Sequence, residues 1–264
     1  MPLGAPRHHR PHTQTLGDGY RHDRGRPIRD ERGWAFRNGP GHSLDPINGF
    51  QFLSEAYHVT DQSYHGRVTV PVLWDRVTRR IVTNSDDDLM RIFNAEFNRL
   101  TGSRLDLYPA PLRPAIDELN AFIYDNVNDG VYRAGFATSQ QAYEQPAHKL
   151  FDALDQLDHR LRDSRYLFGA QFVESDWRLF VTLLRFDAVY HGHFKCNVRR
   201  IVDYPHLSGY LKDLYQVEGI ADSVDFDHIK RHYYITHDDI NPTRIVPIGP
   251  QLDLRSPHGR AGLS

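Results

Sequence analysis

The sequence predicts a mixed α/β segment followed by an all-helical one, and three observations carry that reading. The run Val70-Pro-Val-Leu-Trp-Asp75 favours a strand, Thr78-Arg79-Arg80 favours a turn, and Ile81-Val82 favours a return strand, the pattern of a hairpin. Beyond Thr101 apolar residues recur at helical spacing through several segments. The closing stretch Asn241-Pro-Thr-Arg-Ile-Val-Pro-Ile-Gly-Pro250 is too rich in proline for either regular structure and is expected to lie across the surface.

The elements come in order. Ser85 or Asp86 is placed to cap a helix whose apolar positions are Leu89, Ile92, Phe93, Phe97 and Leu100. Pro111-Leu-Arg-Pro114 opens a second, with Ile116, Leu119, Phe122 and Ile123 on its face. Ser139 caps a longer helix carrying Leu150, Leu154, Leu157 and Leu161 in one stripe. Gly169 interrupts the chain before Glu174 to Tyr190, where Trp177, Leu179, Phe180, Leu183, Leu184, Phe186 and Val189 make a helix apolar nearly all round. Such a helix belongs at the centre of a bundle. Two more are expected near Leu207 to Val217 and Phe226 to Tyr234.

Composition narrows the class. At 264 residues, with 39% hydrophobic and 12% aromatic residues, the chain has material for a substantial core and is not a disordered polymer. A formal charge of −2 gives no electrostatic case for nucleic acid or an anionic membrane surface. Its apolar runs fall short of the roughly 20 residues of a membrane span. The single cysteine, Cys196, excludes an intrachain disulfide and points to a reducing, cytoplasmic setting.

Residues 1–27 differ from the rest. They hold arginine and histidine but no Val, Ile, Phe, Trp, Lys or Glu, and read as a disordered basic tail. His8, His9 and His12 lack the scaffold and acidic partners of a metal site. Strand, hairpin turn, strand, helix is the second half of a thioredoxin-like unit, and its first half is expected before Ile28. The expected division is therefore 1–27, a partial thioredoxin-like unit over 28–100, and a helical domain with an extended tail over 101–264.

Several segments resemble the glutathionyl-hydroquinone reductases, the xi class of glutathione transferases. They are Gly33-Trp34-Ala35-Phe36, Arg67 to Asp75, Asn126 to Gln140, Asp176-Trp-Arg-Leu-Phe180, Arg185 to Asn197, His232-Tyr-Tyr234 and Asn241-Pro-Thr243. The likeness implies a glutathione-transferase fold and glutathione as co-substrate. It also implies a quinone-derived aromatic substrate, a homodimer, and no metal. In that chemistry a cysteine at a helix N-terminus, where the dipole favours thiolate, attacks the sulfur of a glutathionyl-hydroquinone, and a second thiol releases the mixed disulfide. The resemblance makes Tyr132 and Tyr233 proton donors to the departing carbon, with Tyr190 a weaker third. It places Trp34, Val70 and Pro71 against the tripeptide, Pro71 as the cis proline that exposes backbone for strand-like pairing. Ser85-Asp86 stands where the family has a Glu-Ser pair for the γ-glutamyl end.

Each assignment has a plainer alternative. Trp34, Tyr132 and Tyr233 also fit as core aromatics with satisfied polar tips. His191 and His193 fit as backbone-bonded residues better than as metal ligands, and Asp86-Asp-Asp88 as dipole-complementing acids. Cys196 fits as an inert buried thiol. The family's nucleophile has no counterpart in the chain, so the implied activity is expected to be impaired. Two alternatives stand beside it: a non-catalytic protein binding thiols or aromatics, with glutathione or another small thiol as ligand, and tyrosine-assisted thiol conjugation. An unpaired apolar face at Val70, Val72 and Leu73 is expected to lower solubility.

Residues 1–27 also read as a shifted frame. Methionine is encoded by ATG alone and every proline codon begins with C, so Met1-Pro2 read one base later gives cysteine. The next codons permit Pro-Trp, and Leu16 to Arg26 permit an apolar strand. The nucleotide sequence decides this: without a TGG spanning Leu3 and Gly4 the idea fails.

Overall fold

The computed structural model describes residues 25–29 and 31–264. The three histidines and most of the disordered tail and shifted frame read over residues 1–27 lie outside the described residues. The last three residues of that stretch, 25–27, are described and are not loose, since Arg26 N–H donates to the Ala35 carbonyl at 2.8 Å and the Pro27 carbonyl accepts from His232.

The described chain folds around two hydrophobic cores. The smaller gathers Leu53, Ala56 and Tyr57, with Trp34, Phe36, Phe50, Val72, Trp74 and Ile81 packed around them. Its first element is α1 (Leu53–Thr60), a helix with no counterpart among the sequence-based expectations. The Glu55 carboxylate closes the start of this helix by accepting from the N–H groups of Gln51 and Phe52, each at 2.8 Å. An antiparallel pair comes next, β1 (Leu73–Asp75) and β2 (Arg80–Thr83).

The strand expected from Val70 is thus shorter, beginning at Leu73, and the Val70–Pro71 peptide ahead of it is cis. Arg80, expected in the turn, is already in β2, and Arg79 alone takes the left-handed conformation (φ 54°). Val70 is left 48% exposed, whereas Val72 packs onto the small core.

Ser85 caps α2 (Asp86–Ala95), its Oγ accepting from the Asp88 N–H at 3.2 Å. The expected helix does not continue to Leu100. It breaks at Glu96, a separate turn α3 (Asn98–Thr101) closes on Gly102 in the left-handed region, and Leu100 faces solvent.

The larger core is helical. It is built by α4 (Arg113–Ile123), α5 (Gly130–Gly135), α6 (Gln140–Arg160), α7 (Glu174–Arg185), α8 (Leu207–Tyr215), α9 (Ile220–Ser223) and α10 (Phe226–Thr236). Ser139 caps α6 as expected, accepting from Ala142 N–H at 3.2 Å. Leu150, Leu154, Leu157 and Leu161 are buried as one stripe. The central helix is α7, but it ends at Arg185 and a π-turn (Phe186–Tyr190) completes the predicted run. A second π-turn, Tyr124–Asn128, joins α4 to α5. The helix expected to reach Val217 stops at Tyr215. No described helix is long and apolar enough to cross a membrane.

A polar joint fastens α2 to the helical bundle. The buried Glu174 carboxylate at the start of α7 accepts from Asn120 Nδ2 at 2.8 Å and from Arg91 of α2 at 3.3 Å. Arg178, one turn along α7, pairs with Asp87 of α2. Glu174→Ala leaves two guanidinium groups without this shared anion. Arg91 is exposed enough for solvent to screen it, so the expected loss is roughly 2 kcal/mol rather than the cost of a fully buried pair, read as a shift of the urea midpoint.

Candidate active site

A cleft lies between the small core and helices α4, α5, α7 and α10, and all eight of the site residues proposed from the sequence line it: Trp34, Val70, Pro71, Ser85, Asp86, Tyr132, Tyr190 and Tyr233. On one wall, the Trp34 carbonyl accepts from Leu53 N–H at 2.9 Å, which ties the residue to the start of α1. Its indole stacks on His232 with ring centres 5.1 Å apart and planes within 21°. His232 in turn donates from Nδ1 to the Pro27 carbonyl at 2.8 Å. Thr236 Oγ1 accepts from Arg29 N–H at 3.3 Å, and His228 Nε2 donates to the Pro40 carbonyl at 2.8 Å. One face of α10 thereby holds the segment that carries Trp34.

The start of α2 forms the next part of the wall. Ser85 Oγ spends a lone pair on the helix cap, and its O–H remains available to donate. Asp86 is exposed over its surface as a whole. Its carboxyl still sits above the ordinary range, through crowding first and the neighbouring Asp87 second, with Arg178 opposing.

Three phenols meet in the cleft lining. Tyr132 and Tyr233 hydroxyls are 2.5 Å apart, and Tyr190 and Tyr233 hydroxyls 2.9 Å apart, so Tyr233 is the hub. Tyr132 comes from α5 just after one π-turn and Tyr190 is the last residue of the other. A π-turn inserts an extra residue and re-aims the side chains at its end. Burial pushes Tyr233 and Tyr190 well above the usual phenol range, with neighbouring tyrosines adding to it. Both therefore stay protonated at neutral pH and can donate.

Cys196 is not part of this arrangement. Its side chain is fully buried, and burial pushes its thiol up to about 12, with Lys195 opposing. At neutral pH it is not ionised, and it is not among the residues that line the cleft. His193 bonds to the His237 ring, and not to backbone as the sequence suggested, because α10 brings His237 against it.

A family model described as the glutathione S-transferase C-terminal domain matches residues 140–213. The glutathionyl-hydroquinone reductase YqjG of Escherichia coli K12 is 50% identical over 235 residues, covering 89% of this chain and 72% of that protein. The chain belongs to the glutathionyl-hydroquinone reductase family. A second reductase of that name, PcpF of Sphingobium chlorophenolicum, is 48% identical over 224 residues, covering 85% of this chain and 72% of the relative.

The glutathione-bound structure of YqjG superposes with a TM-score of 0.89 at 49% identity, over 90% of this chain and 78% of that one. A xi-class transferase from Natrialba magadii gives 0.87 at 45% identity, over 89% and 72%. The fold shared with these relatives accounts for the small sheet and for the helical bundle. The family resemblance drawn from the sequence segments is borne out.

Sequence reasoning missed His237, Phe136 and Arg178, which line the same cleft. His237 comes four residues after Tyr233, the spacing that puts two side chains on one helical face, and that signal was available once α10 was placed.

Proposed function

We propose that this cleft binds a glutathionyl-hydroquinone with its peptide along Trp34, Val70, Pro71 and Ser85 and its ring against the tyrosines. The observation that carries this is the joining of Tyr132, Tyr190 and Tyr233 through their hydroxyls in the lining of the cleft that Trp34 also lines. The reaction appropriate to the site is reductive cleavage. A thiolate attacks the glutathionyl sulfur, the C–S bond breaks, the aryl carbon takes a proton from a phenol, and a glutathione thiol resolves the disulfide. The sum is conjugate plus glutathione giving hydroquinone plus glutathione disulfide.

In this reading Tyr132 is the donor and Tyr233 the group that reprotonates it, with Tyr190 behind. The extended peptide meets backbone at Val70 and Pro71. The Ser85 hydroxyl, at the positive end of α2, suits a carboxylate. What the 264 residues lack is the attacking thiol, since Cys196 is buried and held neutral. Our reading is therefore a binding-competent, turnover-impaired member of its family.

Calorimetry tests the binding half. The conjugate should bind about tenfold tighter than glutathione, because an aromatic ring buried against phenols adds more than a kilocalorie. Trp34→Ala should weaken both ligands. Failure of either ligand to bind would remove the proposal.

A further inference from the structure

We propose that His237 is a specificity-determining residue for the aromatic half of the substrate, presenting its Nε2 edge to a phenolic hydroxyl; this rests on the proposed binding mode of the cleft. The residue caps the C-terminal end of α10 and lines the cleft with the three tyrosines. Its ring centre lies 5.5 Å from Tyr233 and 5.0 Å from Phe136, edge-on to both at 83° and 71°. Phe136 is 43% exposed, an apolar face on the cleft side by side with this imidazole. Together they bring an apolar ring and a polar imidazole to one stretch of the cleft lining.

The pairing with His193 sets which edge is offered. His193 is buried, and its Nε2 lies 3.3 Å from His237 Nδ1. The five-membered ring then places His237 Nε2 on the far side from that buried partner. Burial lowers both imidazoles to about 4, with positive neighbours adding to it, so both are neutral at pH 7. A neutral pair holds one proton in its shared bond. If His193 donates, His237 Nε2 carries a proton and donates to the ligand; if His193 accepts, Nε2 is an acceptor. A phenolic hydroxyl satisfies either case, whereas an aryl ether can only accept and so cannot satisfy the second; a preference for the hydroxyl reads that acceptor form of Nε2.

The test is calorimetric titration with methylhydroquinone and with its dimethyl ether, alongside glutathione as an independent probe of the peptide wall. The wild-type chain should prefer the hydroquinone by about tenfold, the worth of one hydrogen bond. His237→Phe should bring that preference to within about twofold of unity while leaving ether binding unchanged, and His237→Gln should restore most of it. Full preference retained by His237→Phe, or equal loss of both ligands, overturns the assignment. If glutathione binds but the wild type does not discriminate, this inference alone fails. If no ligand binds, the proposed binding mode fails with it.

Discussion

Supplied with glutathionyl-hydroquinone and glutathione, the 264-residue chain should release hydroquinone on the order of 10³-fold or more slowly than a relative with a thiol in the cleft. Removing a covalent nucleophile takes away a whole reaction path, and what is left comes from binding and orientation alone. Cys196 offers no substitute. Burial raises its thiol to about 12, and its Sγ lies among the Val131 and Phe194 carbonyls inside the helical core. A thiol so placed presents almost no thiolate at neutral pH. Cys196→Ser should leave the residual rate unchanged, measured by chromatographic release of the quinol. A rate close to that of thiol-bearing relatives, or one abolished by Cys196→Ser, would show a nucleophile that the cleft does not reveal.

Asp176→Ala should lower stability by roughly 3–5 kcal/mol, by leaving buried donors unsatisfied. The side chain is fully buried at the first turn of α7. One oxygen accepts from Leu167 N–H at 3.0 Å and the Tyr210 hydroxyl at 2.8 Å, and the other accepts from Val173 N–H at 2.9 Å. Alanine leaves two backbone donors and a phenol without partners inside the core. Urea denaturation at pH 7 reads the loss.

Acid adds a second signature. Burial raises the Asp176 carboxyl from 3.8 to about 6, against the pull of its hydrogen bonds. The folded state therefore takes up this proton more readily than the unfolded state, and the group adds stability as pH falls from about 6 toward 4. His193 and His237 act oppositely. Their folded values of about 4 lie below the ordinary 6.5, so stability is lost as acid forces protons onto them across that window. Asp176→Asn removes the compensating group and should lose stability more steeply than the wild type between pH 7 and 5.

Much of the helical half was legible because burial there leaves a period. The stripe on α6 and the Ser85 and Ser139 caps are local signals, and local chemistry decides them. Helix α1 was not legible. Its Leu53, Ala56 and Tyr57 span little more than one turn, and its start depends on Glu55 reaching back to Phe52. The π-turns were invisible for a related reason: Phe186, Ala188, Val189 and Tyr190 are buried and apolar or aromatic whether the backbone bonds four or five residues back.

The tyrosine site came from family likeness and not from spacing. Tyr132, Tyr190 and Tyr233 sit on three separate elements, and only the packing of α5, the π-turn at Phe186–Tyr190 and α10 brings their hydroxyls together. His237 had a local signal, but its meaning depended on His193, which reaches it from another segment of the core.

Intact-protein mass spectrometry after incubation with glutathionyl-hydroquinone bears most directly on the proposal that these 264 residues carry no working nucleophile. The expected spectrum shows the unmodified chain, with no reductant-reversible gain of one glutathione at any time point. A stable or transient adduct of that mass, on Cys196 above all, would contradict the account.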